Sequence, residues 1–74
     1  MTPRQCHAAR SLLGWTQVRL AKAAGLGVST VGDFEMGRRE VSPEAFMAIR
    51  GALEADGIRF TNGRRPGVRL EALR

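Results

Sequence analysis

The stretch Thr16–Gly37, TQVRLAKAAGLGVSTVGDFEMG, decides the fold of this chain. Leu20, Ala21 and Ala24 recur on one helical face, and Gly25 stops the run. Thr16 stands where an N-cap belongs, its hydroxyl placed to accept from an amide of the first turn. Beyond Gly25, Val28, Val31 and Phe34 recur three apart until Gly37 ends the second run. The spacing predicts a helix ending at Ala24, a glycine-bounded turn and a second helix. Helices of about two turns are too short to stand alone in water. Flanking segments must hold them, and one face is left free for a partner.

Upstream, Thr2, Pro3 and Gln5 read as N-cap, first helical position and capping-box partner. Cys6, Ala9 and Leu13, with Leu12 beside them, form an apolar stripe opposite Arg4 and Arg10. Gly14 ends this helix, and Trp15 is placed to plug the gap before the next. Downstream, Ser42-Pro43-Glu44 opens a fourth helix in the same manner. Phe46, Ile49 and Leu53 are its buried stripe, Ala45, Ala48 and Ala52 allow close approach, and Gly57 ends it. Arg38, Arg39 and Glu40 form an exposed link between the third and fourth helices.

The period then changes. Ile58-Arg59-Phe60-Thr61 and Val68-Arg69-Leu70-Glu71 alternate apolar and polar, while Asn62-Gly63 and Pro66-Gly67 are turn dipeptides. A small β-hairpin, or two short strands, is expected, with Ile58, Phe60, Val68 and Leu70 on one face; a disordered tail is the alternative. An isolated hairpin is marginal in water, so it must pack on the helices or pair with a second copy. The fold class is mainly α: four helices with a short C-terminal β-hairpin or strand. Residues 2–57 form the helical unit, and residues 58–74 a basic β tail.

A chain of 74 residues has a small core, and such domains are commonly supplemented by disulfides, metals or self-association. Cys6 and His7 are the only cysteine and histidine. An internal disulfide and a Cys/His metal site are thereby excluded, and no cofactor is signalled. Adjacent on a helix, the two side chains diverge by about 100° and do not make a catalytic pair. An enzyme is therefore not expected; Cys6 reads as core and His7 as surface. No apolar run approaches the roughly 20 residues of a bilayer span, and the first residues lack a signal-peptide core. The expected compartment is the cytoplasm, with no membrane partner. The net charge of +5 divides into +4 over residues 1–32, −3 over 33–56 and +4 over 57–74. Basic ends around an acidic middle suggest a polyanion met by selected faces.

The run RSLLGWTQVRLAKAAGLGVSTVGDFEMGRR, residues 10–39, resembles the helix-turn-helix of lambda-repressor-like (Xre-type, Cro-like) DNA-binding proteins. Leu-Gly closes the first helix, an aromatic and Thr-Gln follow, Leu-Ala sits at the centre of the second helix and Ala-Gly at the turn. An aliphatic residue, Glu, Gly and basic residues complete the third. With the first and fourth helices, the resemblance covers residues 2–57, the motif itself being 16–36. It implies a transcriptional regulator, a repressor by preference, that binds a palindromic duplex as a homodimer with the third helix, Val28 to Met36, in the major groove. Val28 and Ser29, with Thr30 on the same turn, and Asp33 then match base-facing positions. Thr16 and Gln17 match the start of the second helix that clamps the DNA backbone, where Gln17 can also reach a base. Arg10 and Glu35 match an interhelical salt bridge, structural before it is a contact, and Arg38 and Arg39 match the loop that follows the phosphates.

Two departures bear on that register. Gly27 stands where a Ser or Thr cap is usual, and Thr30-x-x-Asp33 fits a capping box that would start the helix two residues later. The family register keeps Val31 and Phe34 facing inward. Gly32, in mid-helix, costs about 1 kcal/mol relative to Ala. The competing function is an antitoxin or protein-interaction module of the same fold, with a toxin or other protein as partner and DNA contact secondary.

Overall fold

The computed structural model describes residues 1–38, 40–61, 63–64 and 66–71. Four helices, α1 (Pro3–Leu13), α2 (Gln17–Ala24), α3 (Val28–Met36) and α4 (Pro43–Ala55), precede strands β1 (Ile58–Thr61) and β2 (Gly67–Leu70). The caps explain most of the boundaries. Thr2, Thr16 and Ser42 each accept a hydrogen bond from an amide of the helix they open. Gly14, Gly25 and Gly37 close α1, α2 and α3 in the left-handed conformation, which costs glycine nothing sterically.

The helix α3 begins at Val28 with Gly27 as N-cap and no side-chain cap bond. The later start at Thr30 is not adopted, because it would forfeit the turn that seats Val31, fully buried, and Phe34 in the core. Leu20 and Ala21 of α2, Ile49 and Leu53 of α4, and Cys6 and Ala9 of α1 complete that core. Phe34 meets the half-buried Phe46 edge to face, with centroids 5.9 Å apart. Trp15 packs against this cluster as a plug, and its outer ring face carries the Arg19 guanidinium at 5.2 Å. Leu12 departs from the expected stripe: it is exposed, and Gln5 is buried in its stead.

The strands pair antiparallel, Ile58 opposite Leu70, Arg59 opposite Arg69, Phe60 opposite Val68 and Thr61 opposite Gly67. β2 thus begins one residue before the expected Val68. Ile58 is wholly buried among the helical core residues, so the hairpin is part of the packing. The like charges of Arg59 and Arg69 are bridged by Glu71, 2.9 and 3.1 Å away. The expected turn at Asn62-Gly63 lies partly outside the described residues, as does Arg39.

Candidate nucleic-acid interface

The ends of α2 and α3 that face solvent are positioned by one buried carboxylate. Glu35, the next-to-last residue of α3, has a side chain only 4% exposed. Arg10 of α1 reaches it with two donors, Nε to Oε2 at 2.7 Å and Nη2 to Oε1 at 2.8 Å. Cys6 donates its thiol to Oε2 at 3.1 Å, and Gln17 of α2 donates Nε2 to Oε1 at 3.1 Å. One side chain therefore ties α1, α2 and α3 together. Burial pushes the Glu35 carboxyl up, but the bonds from Arg10, Gln17 and Cys6 outweigh it and hold the group below its ordinary value. The bond to Glu35 raises the Arg10 guanidinium, against its own burial. Burial, then the bond to Glu35, push the Cys6 thiol far above the range in which it ionises.

Two further Arg10 contacts are made within the protein: Nη1 donates to the Trp15 carbonyl at 3.0 Å and Nη2 meets His7 Nδ1 at 3.0 Å. With its side chain 12% exposed, Arg10 is a strut of the motif, its charge balanced within the protein. The periodic pattern on α1 gave Cys6 as a packing residue only. Its hydrogen bond had no sequence signal, because it depends on how α1 crosses α3.

Thr16 Oγ1 accepts from Arg19 N, and Thr16 O from Leu20 N. The amides of Gln17 and Val18 belong to the first helical turn, whose N–H groups have no carbonyl ahead of them. The Gln17 side chain lies across α3: a Cβ built on Gly32 would stand 3.5 Å from its Oε1. Val28 and Ser29 are exposed at the start of α3, and Asp33 is half-buried further along it. Thr30 is turned elsewhere. It lines a depression with Leu26, Val41, Ser42 and Ala45, toward the α3–α4 connection. Arg19 near the start of α2, Lys22 in its last turn and Arg38 just beyond α3 are exposed cations.

The structure brings Gln17 of α2 to Glu35 and Gly32 of α3, with Arg10 on the same carboxylate, while Thr16 stands at the start of α2 and Val28 and Ser29 at the start of α3. Chemically these residues offer methyl groups, a hydroxyl, an amide and helix N-terminal N–H groups, with exposed cations on α2 and beyond α3. Those are the groups that meet base edges and phosphates. Among the described residues no cluster of His, Cys, Asp or Glu has the makings of a metal site, and no helix is long and apolar enough to cross a membrane.

No curated protein matches the chain. A family model described as helix-turn-helix matches residues 7–56, and it spans α1 from its second turn, both helices of the motif and α4 to its end. The chain belongs to the Xre-type, lambda-repressor-like helix-turn-helix family of DNA-binding regulators.

Proposed function

We propose that this protein is a sequence-specific DNA-binding regulator, a repressor by occupancy, that acts as a homodimer on a palindromic operator. The observation that carries this reading is what α2 and α3 expose at their starts. Val28 and Ser29 are exposed at the start of α3, Thr16 caps the start of α2, and Arg19, Lys22 and Arg38 are exposed cations on α2 and just beyond α3. With α3 in the major groove, Val28 meets a thymine methyl, Ser29 serves either base type and Asp33 accepts from a cytosine N4. The amides at the start of α2 and the exposed cations take the phosphates, together with Arg39, the residue after Arg38 in the sequence. No enzymatic role is proposed, and the expected compartment is the cytoplasm.

A two-fold dimer places two half-sites roughly 10 bp apart on one face of the duplex. The hairpin is the proposed contact between copies, supported by Leu70, which sits on its apolar face yet is 46% exposed. Removing the hairpin is not a clean test, since Ile58 belongs to the core. Leu70→Asp spares that core and should yield a monomer by sedimentation. Selection of bound sites from random duplexes, scored for palindromy, tests the whole reading. A palindromic consensus supports it; equal binding to every duplex, with a tight protein partner in pull-down, would favour the antitoxin or interaction module instead.

A further inference from the structure

We propose that Arg4 and Arg64 carry the DNA contact beyond the helix-turn-helix, taking backbone phosphates along a basic stripe. The stripe runs from Arg38 across the start of α1 to the β1–β2 connection. The proposal rests on the DNA-binding reading above. Neither residue belongs to the matched family domain: Arg4 precedes residues 7–56 and Arg64 follows them.

Two grooves that share Pro3 lay the stripe out. On one side Pro3 lines a groove with Phe34, Gly37, Glu40 and Val41, which sets the start of α1 beside the chain that carries Arg38. On the other, Pro3 and Arg4 line a second groove with Pro66, Gly67 and Val68. Arg64 stands two residues before Pro66, and Arg38, Arg4 and Arg64 are all exposed. Among the described residues, Glu40 is the only acid lining either groove. Three cations against one carboxylate leave the stripe positive, and Arg39 and Arg65 adjoin Arg38 and Arg64 in the sequence.

The β1–β2 connection is tied down at both ends. Gln5 of α1 donates Nε2 to the Thr61 and Gly67 carbonyls at 3.2 and 3.0 Å, and Gly67 N donates to Thr61 Oγ1 at 2.9 Å. The backbone that bears Arg64 is thereby fixed to the helix that bears Arg4, which lowers the ordering cost of a contact spanning both. Other arginines on this side of the molecule are matched within the protein: Arg59 and Arg69 share Glu71 at 2.9 and 3.1 Å, and Arg50 pairs with Glu54 at 3.2 Å. A phosphate adds less to a cation already neutralised than to one along the stripe, where binding releases the counterions of the duplex. The stripe begins at Arg38, one of the cations already set on the phosphates, so its occupant is the backbone of the same duplex.

The test uses the full chain and a duplex recovered by selection from random sequences. The variant is Arg4→Gln, Arg64→Gln; the control, Arg50→Gln, Arg69→Gln, removes the same charge from ion pairs off the stripe. Each phosphate contact contributes about 0.9 to the slope of log affinity against log salt, so the variant should lose about 1.8 of slope. The advantage of the wild type over it should then shrink roughly tenfold between about 50 and 200 mM salt. Base preferences should stay those of the wild type, and the control should keep the wild-type slope. Ethylation interference should mark phosphates whose modification hinders the wild type and not the variant. Should the double variant not fold, each single variant should lose about half as much slope. Equal slopes for the wild type and the Arg4, Arg64 variant overturn the proposal. So do equal losses in variant and control, which would make net charge the cause. A wild type that binds no duplex at all overturns the DNA-binding reading and the stripe with it.

Discussion

Gln5 of α1 and Thr61 of β1 lie 56 positions apart in the chain, and the Gln5 amide nitrogen donates to the Thr61 carbonyl at 3.2 Å. The same nitrogen donates to the Gly67 carbonyl at 3.0 Å, while Gln5 Oε1 accepts from Thr2 N at 2.7 Å. One side chain, 4% exposed, thus caps the first helix and clamps both strands of the hairpin to it. A polar residue at a core position is stable only when its hydrogen bonds are made.

Replacing Gln5 by Ala should therefore cost about 2 kcal/mol, the sum of a lost cap and two carbonyls without their donor. In a domain of this size that is a fall in Tm of roughly 8–16 °C. Hydrogen exchange should show the β1 and β2 amides opening ahead of those of α2 and α4. A loss below about 0.5 kcal/mol, within the range of ordinary surface substitutions, would mean the hairpin is held by Ile58 alone.

The Arg10–Glu35 pair makes a prediction about partners left behind. Arg10→Met leaves a buried carboxylate without its cation and should destabilise by about 3–5 kcal/mol in urea titrations. Adding Glu35→Leu should recover most of that loss, since the charge is then gone; a double variant as unstable as the single one would count against a desolvation origin.

Acid should loosen the protein through the same group. The folded-state value of Glu35 is lowered, so its contribution is full above the ordinary carboxylate value. It is lost as the pH falls from there through the folded value, because the unfolded chain takes up its proton first. Urea midpoints measured across that acidic window should fall more steeply for the wild type than for the Arg10→Met, Glu35→Leu variant. Parallel curves would show that other carboxylates set the acid limit.

Cys6 is fully buried, and its thiol is pushed away from ionisation. The thiolate is the reactive form. Alkylation at pH 8 should therefore proceed only through unfolding, on the order of a hundredfold slower or more than in urea. Labelling at the unfolded rate would place the thiol in solvent.

The glycines separate by backbone conformation. At Gly32 an added methyl group meets Gln17 only at ordinary contact distance, so Gly32→Ala should stabilise the helix by about 0.5–1 kcal/mol. At Gly25 and Gly37, φ is +71° and +67°, and the same change should destabilise by about 1 kcal/mol or more. Thermal melts of the three variants should straddle the wild type; Gly32→Ala falling below it would mean the Gln17 amide has been displaced.

How much of this was legible in the sequence follows from the range of each interaction. Local chemistry determined the helices: Thr2, Thr16 and Ser42 cap within three residues, glycines end the runs, and the period of Val31 and Phe34 sets the face of α3 even without a side-chain cap at Gly27. The period of two at Ile58–Thr61 announced the hairpin, and the spacing from Arg10 to Arg39 announced the family. Tertiary structure alone decided what the polar side chains do. That Gln5 clamps the strands, that Cys6, Arg10 and Gln17 converge on Glu35, and that Thr30 turns toward the α3–α4 connection while Ser29 stays open all depend on how separate helices cross. Periodicity reports which face of a helix is inward. It carries no record of which residue on another helix will stand opposite, and hydrogen bonds are decided by that position to within a few tenths of an ångström.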